Sequence, residues 1–220
     1  DDDDEDGVES SATILMTTHS PHVVSVTPVR DFVLLRHNAA GDATEAVSTA
    51  NLDLSENAVA DLERYLDVNR GEMLFARGVI LVEGDAERFL VPVLAKQQGV
   101  DLDEHGISVC SVAGTNFAPY LILLGPEGLN MPVAALTDMD PRLPKEDGTE
   151  REPLGPKRAV YQMLVHLIDE ATLETHDFDG LLAIAPEYGV LMNGHTLEVD
   201  LFKSGLQKAF AEAMDDLDCS

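Results

Sequence analysis

Carboxylate side chains follow two apolar runs of this chain, at the points where buried strands would end. Glu83 follows the run at residues 79–82. Asp138 and Asp140 follow the run at residues 133–137. Short apolar runs are typical of buried parallel strands, and an open α/β sheet places its ligand site at the carboxyl ends of such strands. An acidic pocket there suits Mg²⁺ or Mn²⁺, because both cations prefer oxygen ligands.

The spacing of these carboxylates is compatible with one shared site. Glu87 lies four residues after Glu83, so the two converge if a helical turn separates them, and Gly84 would allow a sharp backbone turn. Asp138 and Asp140 are two residues apart, which places both on one face of an extended segment. Four carboxylates without cationic partners repel each other, and a divalent cation would relieve that repulsion. Alternatively, Glu87 charges a helix N-terminus and the two aspartates are solvated loop residues.

Strands and helices alternate in the second part of the chain, where these carboxylates lie. Apolar runs predict strands at residues 79–82, 107–113, 133–137, 181–185 and 188–192. Helices are predicted at residues 86–98, 117–124, 157–173 and 196–214, and a long surface loop at residues 141–156. This alternation predicts an α/β fold in which helices flank a parallel sheet.

The first part of the chain has fewer predicted elements. An apolar run at residues 12–18 predicts a buried strand that ends at His19, and residues 32–36 predict a second short strand. Residues 37–51 are rich in Asn, Gly, Asp, Ala and Thr, which predicts a loop or a hairpin arm. Helical spacing of apolar residues predicts a helix over residues 55–75.

Charge is the feature of the composition that departs most from the average. The 220 residues include 41 Asp and Glu against 14 Lys and Arg, which gives a formal net charge of −27. Apolar residues make up 45% of the chain, enough for a packed core and too many for a disordered acidic chain. The balance is typical of a folded protein from an organism with a salt-rich cytoplasm, such as a haloarchaeon. No signal peptide and no apolar run of membrane-spanning length is visible, so we expect a soluble, cytoplasmic protein without a membrane partner.

The same acidity argues against a nucleic-acid partner, because nucleic-acid-binding proteins normally present a basic face. The few Lys and Arg side chains would have to gather near the site, or bound metal ions would have to supply the attraction. High salt also weakens the contribution of counterion release to binding. The charge balance and the carboxylate pattern therefore point to different partners.

The carboxylate pattern resembles the Toprim domain of topoisomerases, bacterial primases and nucleases of the OLD (overcoming lysogenization defect) family. Toprim domains have a strand that ends in glutamate and glycine, as at residues 83–84, and a later strand that ends in Asp-x-Asp, as at residues 138–140. The OLD family adds a second glutamate four residues after the first, which Glu87 matches. Gly-Thr-Asn at residues 114–116 and Thr-Leu-Glu at residues 196–198 also resemble OLD segments.

The resemblance implies cleavage of DNA with two bound Mg²⁺ or Mn²⁺ ions. The metal ligands that it implies are Glu83, Glu87, Asp138, Asp140, Thr196 and Glu198. Glu83, Asp138 and Asp140 would hold the principal metal, and the other three would help with the second. Without the resemblance, residues 196–198 are equally a signal for a helix N-terminus, so both interpretations stay open.

The N-terminal part resembles the end of an ABC-type ATPase domain. Thr-His-Ser-Pro at residues 18–21 is similar to the switch-histidine region of such ATPases, in which the histidine contacts a nucleotide phosphate. His19 would be the remnant of that switch histidine. An ABC tail followed by a Toprim domain is the OLD arrangement. The resemblance then implies an ATPase tail at residues 1–54, a helical linker at residues 55–76 and a Toprim nuclease domain at residues 77–220. A histidine after a strand is otherwise more simply a hydrogen-bonded polar residue.

Two features depart from the full OLD pattern. The chain has no Gly-x-x-x-x-Gly-Lys-Ser/Thr phosphate loop, so ATP is expected as a cofactor only in a full-length protein with an ATPase core. Dimerisation is expected through that ATPase portion. OLD nucleases also use a basic residue that steadies the transition state, for which Arg158 is our candidate here. Lys157, Lys203 and Lys208 are the alternatives.

We predict a metal-dependent DNA endonuclease module of an OLD-type ATP-dependent nuclease. The alternative is a non-catalytic Toprim-like module that binds metal and serves in assembly or regulation. A metal-dependent phosphatase or a primase-like enzyme would share the acidic site, although the extra nucleic-acid-binding modules usual in primases are not visible. The sequence contains neither a Gly-x-Ser-x-Gly motif nor cysteines at a zinc-binding spacing, so neither pattern favours another chemistry.

The net charge predicts that the stability of the fold rises with salt. Added KCl screens repulsion among the acidic side chains, since the Debye length falls from roughly 10 Å at 0.1 M to roughly 3 Å at 1 M. The midpoint of thermal unfolding, followed by circular dichroism, should therefore increase over this range of KCl. A midpoint that stays constant or falls would contradict the prediction of a halophilic surface.

Overall fold

A parallel sheet of four strands organises the protein. The computed structural model describes residues 13–37, 41–52, 54–65, 71–139 and 160–216. The strands are β1 (Val33–His37), β2 (Thr44–Ser48), β3 (Gly78–Val82), β4 (Ile107–Ser111), β5 (Val133–Thr137) and β6 (Val190–Met192). The α-helices are α1 (Pro21–Val24), α2 (Glu56–Tyr65), α3 (Asp85–Gln97), α4 (Ala118–Leu124), α5 (Glu170–Glu174), α6 (Phe178–Ile184), α7 (Leu197–Leu201) and α8 (Gln207–Asp216). Short 3-10 turns span Val29–Asp31, Glu72–Phe75 and Ala185–Tyr188, and a π-helical turn spans Phe202–Leu206.

The order of the four-stranded sheet is β4-β3-β5-β6, and all of its neighbouring pairs are parallel. Val82 pairs with Ser111 on one side and with Leu136 on the other. Thr137 pairs with Met192 at the end of β6. Because the strands run in the same direction and end in register, the residues that follow them meet at one edge. The predicted α/β fold with a parallel sheet flanked by helices is confirmed.

The core explains why these runs form the inner strands. β3 is central, and its side chains Val79, Leu81 and Val82 are almost completely buried. A strand covered on both faces is expected to be apolar at consecutive positions rather than at alternate ones. Leu62 of α2 is also fully buried, and α2 packs against α4. Strands predicted at residues 79–82, 107–113, 133–137 and 188–192 are confirmed, with small differences at their ends.

The predicted second strand and hairpin arm form a separate two-stranded antiparallel ladder, in which Leu34 pairs with Val47. The strand predicted at residues 12–18 is wrong, because residues 13–20 have no regular structure. Ile14 and Leu15 are 84% and 91% exposed. A strand needs a hydrogen-bonded neighbour, and no strand in the described part of the chain pairs with this run.

Two predictions in the last third of the chain are also wrong, and aspartate caps explain both. The strand predicted at residues 181–185 is helical, because the Asp177 side chain accepts a hydrogen bond from the Gly180 N–H (2.9 Å) and starts α6. The single helix predicted at residues 157–173 is interrupted after residues 160–164. Asp169 starts α5 there by accepting from the Thr172 N–H (2.9 Å).

The helix predicted at residues 196–214 is confirmed but divided, since the π turn separates α7 from α8. Gly205 lies in that turn at a φ of 107°, a conformation that favours glycine. The loop predicted at residues 141–156 lies outside the described residues. None of the described helices is both long and apolar enough to cross a membrane.

Half-buried His166 makes the stability of this fold depend on pH. Burial lowers the pKa of His166 below its ordinary value of 6.5, so the unfolded chain binds a proton more readily than the folded one. The stabilisation is complete above pH 6.5 and is lost as the pH falls towards the lower folded pKa. We expect His166→Gln to flatten the dependence of the free energy of unfolding on pH between 7 and 5, measured by urea denaturation. His105→Gln, at an exposed histidine, is the matched control and should leave the slope unchanged.

Candidate functional site

The carboxyl ends of the four parallel strands form one polar edge. Glu83 follows β3, residues 112–116 follow β4, Asp138 follows β5, and residues 193–196 follow β6. This edge is where the topology of an open α/β sheet places ligands. The structure thus brings together residues that are about 55 positions apart along the chain.

Glu83 joins two neighbouring strands through its side chain. Its Oε1 atom accepts hydrogen bonds from the Thr137 hydroxyl and from the Asp138 backbone N–H (2.9 Å). Thr137 is the last residue of β5 and is almost fully buried. None of the described residues donates to Glu83 Oε2.

Asp138 is held in a similar way by the segment after β6. Its Oδ1 atom accepts from the Asn193 side-chain amide (2.7 Å), and its Oδ2 atom accepts from the Leu197 backbone N–H (3.2 Å). Asn193 is itself fixed, since its backbone N–H donates to the Thr137 carbonyl (2.9 Å). Two of the predicted site carboxylates, Glu83 and Asp138, are therefore adjacent and oriented by neighbouring elements.

The charges at this edge favour a cation. Among the described residues, the donors to Glu83 and Asp138 are neutral, and no Lys or Arg in those ranges forms an ion pair with either side chain. A carboxylate has about four lone-pair positions, so each of these retains acceptor capacity. Carboxylate oxygens are the ligands that Mg²⁺ and Mn²⁺ prefer, and the donor set fits such an ion.

Glu87 is buried at the start of α3, where it caps the helix. Its Oε2 atom accepts from the Gly84 backbone N–H (3.1 Å), as an N3 glutamate does in a capping box. The chain bends at residues 83–84 as predicted, but the turn does not require glycine, because the Gly84 φ of −135° is extended backbone open to any residue. The glycine provides room instead: a Cβ atom there would lie 3.2 Å from Glu87 Oε2.

Two of the remaining predicted metal ligands, Thr196 and Glu198, lie at the start of α7. Thr196 is the N-cap residue of α7, but its hydroxyl makes no capping hydrogen bond, and Glu198 is exposed in the first turn. Asp140 and Arg158 lie outside the described residues. Considering only the described part, no three His, Cys, Asp or Glu side chains converge closely enough to hold a metal ion.

The Gly-Thr-Asn segment after β4 lies beside the backbone of Glu83. The Gly114 N–H donates to the Glu83 carbonyl (2.9 Å), and the Ser111 hydroxyl donates to the same carbonyl (3.3 Å). Gly114 has a φ of 142°, so glycine is favoured in this loop. The loop also lines a cavity of about 180 Å³, with Asp61 of α2 on the opposite wall.

Sequence reasoning missed the polar residues that orient the two carboxylates. Thr137 carries a signal that could have found it, since it is the polar residue that closes an apolar strand. Asn193 carries a weaker signal, because it follows a strand of three residues. His19 is exposed, and its ring centroid lies 5.9 Å from that of Phe75, so its predicted nucleotide contact stays a prediction. α1 begins at Pro21, and proline is a residue favoured at the first helical position.

Known proteins match the part of the chain that carries this edge. Residues 74–140 match the family described as Overcoming lysogenization defect protein-like, TOPRIM domain. Over 107 residues the chain is 29% identical to the uncharacterized protein YbjD of Escherichia coli K12. That match covers 49% of this chain and 19% of YbjD, so it spans about a fifth of the curated relative's length.

Solved structures of OLD proteins have the same fold. The C-terminal region of the Xanthomonas campestris pv. campestris OLD protein is 43% identical with a TM-score of 0.57, and the match covers 66% of this chain and 63% of that one. The C-terminal region of the Burkholderia pseudomallei OLD protein is 42% identical with a TM-score of 0.55, over 64% of this chain and 65% of that one. The chain therefore contains an OLD-like TOPRIM domain, within a fold that it shares with the C-terminal regions of OLD proteins.

Proposed function

We propose that this chain is a metal-dependent endonuclease module of an OLD-type nuclease and that its substrate is the phosphodiester backbone of DNA. The observation that carries the proposal is the pairing of Glu83 with Asp138 at the carboxyl edge of the sheet, where the donors from the described residues are neutral. The OLD-like TOPRIM match over residues 74–140 supports a nuclease-type module. A site of this kind offers oxygen ligands to a cation, which would in turn bind a phosphate.

Glu83 and Asp138 would hold the principal metal together with Asp140. Glu87, Thr196 and Glu198 would contribute to a second metal position. When bound, Mg²⁺ or Mn²⁺ would activate a water as nucleophile and neutralise developing charge on the phosphate oxygens. Arg158 is the proposed basic residue beside the phosphate.

The contribution of the surrounding residues is orientation. The Thr137 hydroxyl and the Asp138 N–H fix one oxygen of Glu83, while the Asn193 amide and the Leu197 N–H fix both oxygens of Asp138. Partners of this kind hold ligands in position before the ion arrives, and their loss usually weakens metal affinity. The donors come from strand ends and a helix N-terminus, which are more rigid positions than loop tips.

The wider organisation belongs to the same proposal. Residues 1–54 would be the tail of an ABC-type ATPase domain with His19 as its switch-histidine remnant, residues 55–76 a linker and residues 77–220 the nuclease domain. ATP and a homodimer would require the ATPase portion. A salt-rich cytoplasm would account for the net charge of −27.

A second candidate function is a non-catalytic module that binds metal without cutting DNA. It is favoured by the observation that no three potential metal ligands converge within the described residues. The match to the Xanthomonas campestris OLD region also covers only 63% of that chain. In this case the same carboxylate edge would serve assembly or regulation.

The proposal predicts metal-dependent nicking of supercoiled plasmid. With Mg²⁺ or Mn²⁺, at several KCl concentrations, we expect nicking by the wild-type chain and its loss in Asp138→Ala. Asp215→Ala removes the same charge from an exposed position on α8 and should retain activity. Full metal-dependent nicking by Asp138→Ala would rule out the proposed site, whereas metal binding without nicking by any protein would favour the non-catalytic module.

Substitutions at two buried threonines distinguish an effect on the orientation of Glu83 from an effect on the stability of the fold. Thr137→Val removes the hydroxyl that donates to Glu83, and Thr49→Val removes one that bonds the Phe32 backbone at a distance from the site. Thr137→Val loses one hydrogen bond and should lower the free energy of unfolding by about 1 kcal/mol, and Thr49→Val loses two and should lower it by about 2 kcal/mol. Only Thr137→Val should also weaken Mn²⁺ binding, measured by titration calorimetry. Equal Mn²⁺ affinity in the two variants would show that Thr137 does not position a ligand.

A further inference from the structure

The turn between β6 and α7, residues 193–196, controls how Asp138 is held. Two donors to Asp138 flank this turn. The Asn193 side-chain amide, at the first residue of the turn, donates to Oδ1, and the Leu197 backbone N–H, directly after the last residue, donates to Oδ2. Both donors can act together only while the turn keeps one conformation. No residue of α7 is fully buried, so packing alone holds the turn weakly and hydrogen bonds contribute to its conformation.

Asp200 supplies those hydrogen bonds from within α7. Its Oδ2 atom accepts from the His195 backbone N–H (3.0 Å), and its Oδ1 atom lies 2.9 Å from His195 Nδ1. Its own backbone N–H donates to the Thr196 carbonyl (3.1 Å), which closes the first turn of the helix. Both carboxylate oxygens of Asp200 are therefore engaged by His195.

Lys203 extends this contact to the π turn. Its Nζ atom lies 2.8 Å from His195 Nε2. When His195 donates through Nδ1–H to Asp200, its Nε2 atom is the acceptor that a lysine ammonium requires. The imidazole is consequently held on both sides, by a carboxylate from α7 and by an ammonium from the following turn. The side chains of His195, Asp200 and Lys203 are substantially exposed, so their contacts do not serve to cover the hydrophobic core.

We propose that Asp200 is a positioning residue of the site, which fixes the turn at residues 193–196 and thereby aims the Asn193 and Leu197 donors at Asp138. Asp200 does not touch the ligand in this scheme and acts only through the turn. The consequence for metal binding rests on the proposed function of the edge. The effect on the turn itself does not, since it is present in the protein without metal.

The test compares Asp200→Ala with Asp200→Asn and with Asp215→Ala, which removes one negative charge from exposed α8. In metal-free protein, amide hydrogen exchange at His195 and Leu197 should be faster in Asp200→Ala than in the wild type. Mn²⁺ affinity by titration calorimetry should fall about 10-fold, the lower end of the range for partners that orient metal ligands. Asp200→Asn retains one acceptor oxygen and should give intermediate exchange and affinity, while Asp215→Ala should match the wild type.

Several results would overturn the proposal. Unchanged amide exchange in Asp200→Ala would show that the turn is held by other contacts. If Asp215→Ala lowers the Mn²⁺ affinity as much as Asp200→Ala does, the loss of negative charge would explain the weaker binding. The same conclusion would follow if Asp200→Asn lowers the affinity as much as Asp200→Ala. A wild-type chain that binds no Mn²⁺ would count against the proposed function, and the amide exchange would still decide whether Asp200 fixes the turn.

Discussion

The cross-strand hydrogen bonds of Glu83 are the constraint on which the arrangement of the site depends. One carboxylate oxygen accepts from the hydroxyl of Thr137 and from the backbone of Asp138, so the end of β3 is tied to the end of β5. The parallel register makes this contact available, since Val82 already pairs with Leu136. A shift of one residue in either strand would turn Thr137 to the opposite face and separate the two carboxylates. The position of the acidic edge is thus a property of the sheet.

The carboxylate of Asp138 connects the end of β5 to the segment after β6 in the same way. Its two oxygens accept from Asn193 and Leu197, so the ends of β3, β5 and β6 are connected through two acidic side chains. Within the described residues, both carboxylates accept from dipoles, and no Lys or Arg of those ranges forms an ion pair with either of them. Dipoles orient a carboxylate without neutralising it, which leaves the edge with net negative charge. A cation is the partner that completes such an arrangement.

The sequence predicted the edge well because buried parallel strands have a strong local signal. Apolar runs with a carboxylate at their end located β3 and β5, together with Glu83 and Asp138. The apolar run at residues 12–18 carries the same signal and forms no strand, because strand formation depends on a neighbour that composition does not reveal. The run at residues 181–185 is helical because the Asp177 cap lies outside it. The donors from Asn193 and Leu197 could not be predicted, since their role depends on contacts with a residue more than 50 positions away.

An acidic surface and a DNA substrate are compatible if recognition is confined to short distances. At a net charge of −27 the protein repels DNA at low ionic strength, and that repulsion extends over about 10 Å at 0.1 M salt. At roughly molar salt the screening distance is about 3 Å, close to the length of a metal–oxygen–phosphate contact. Long-range repulsion is then removed, while a cation held between carboxylates and phosphate still acts at contact distance. For the proposed nuclease module, high salt therefore permits approach to DNA, and a cation held at the Glu83–Asp138 edge would provide the attraction.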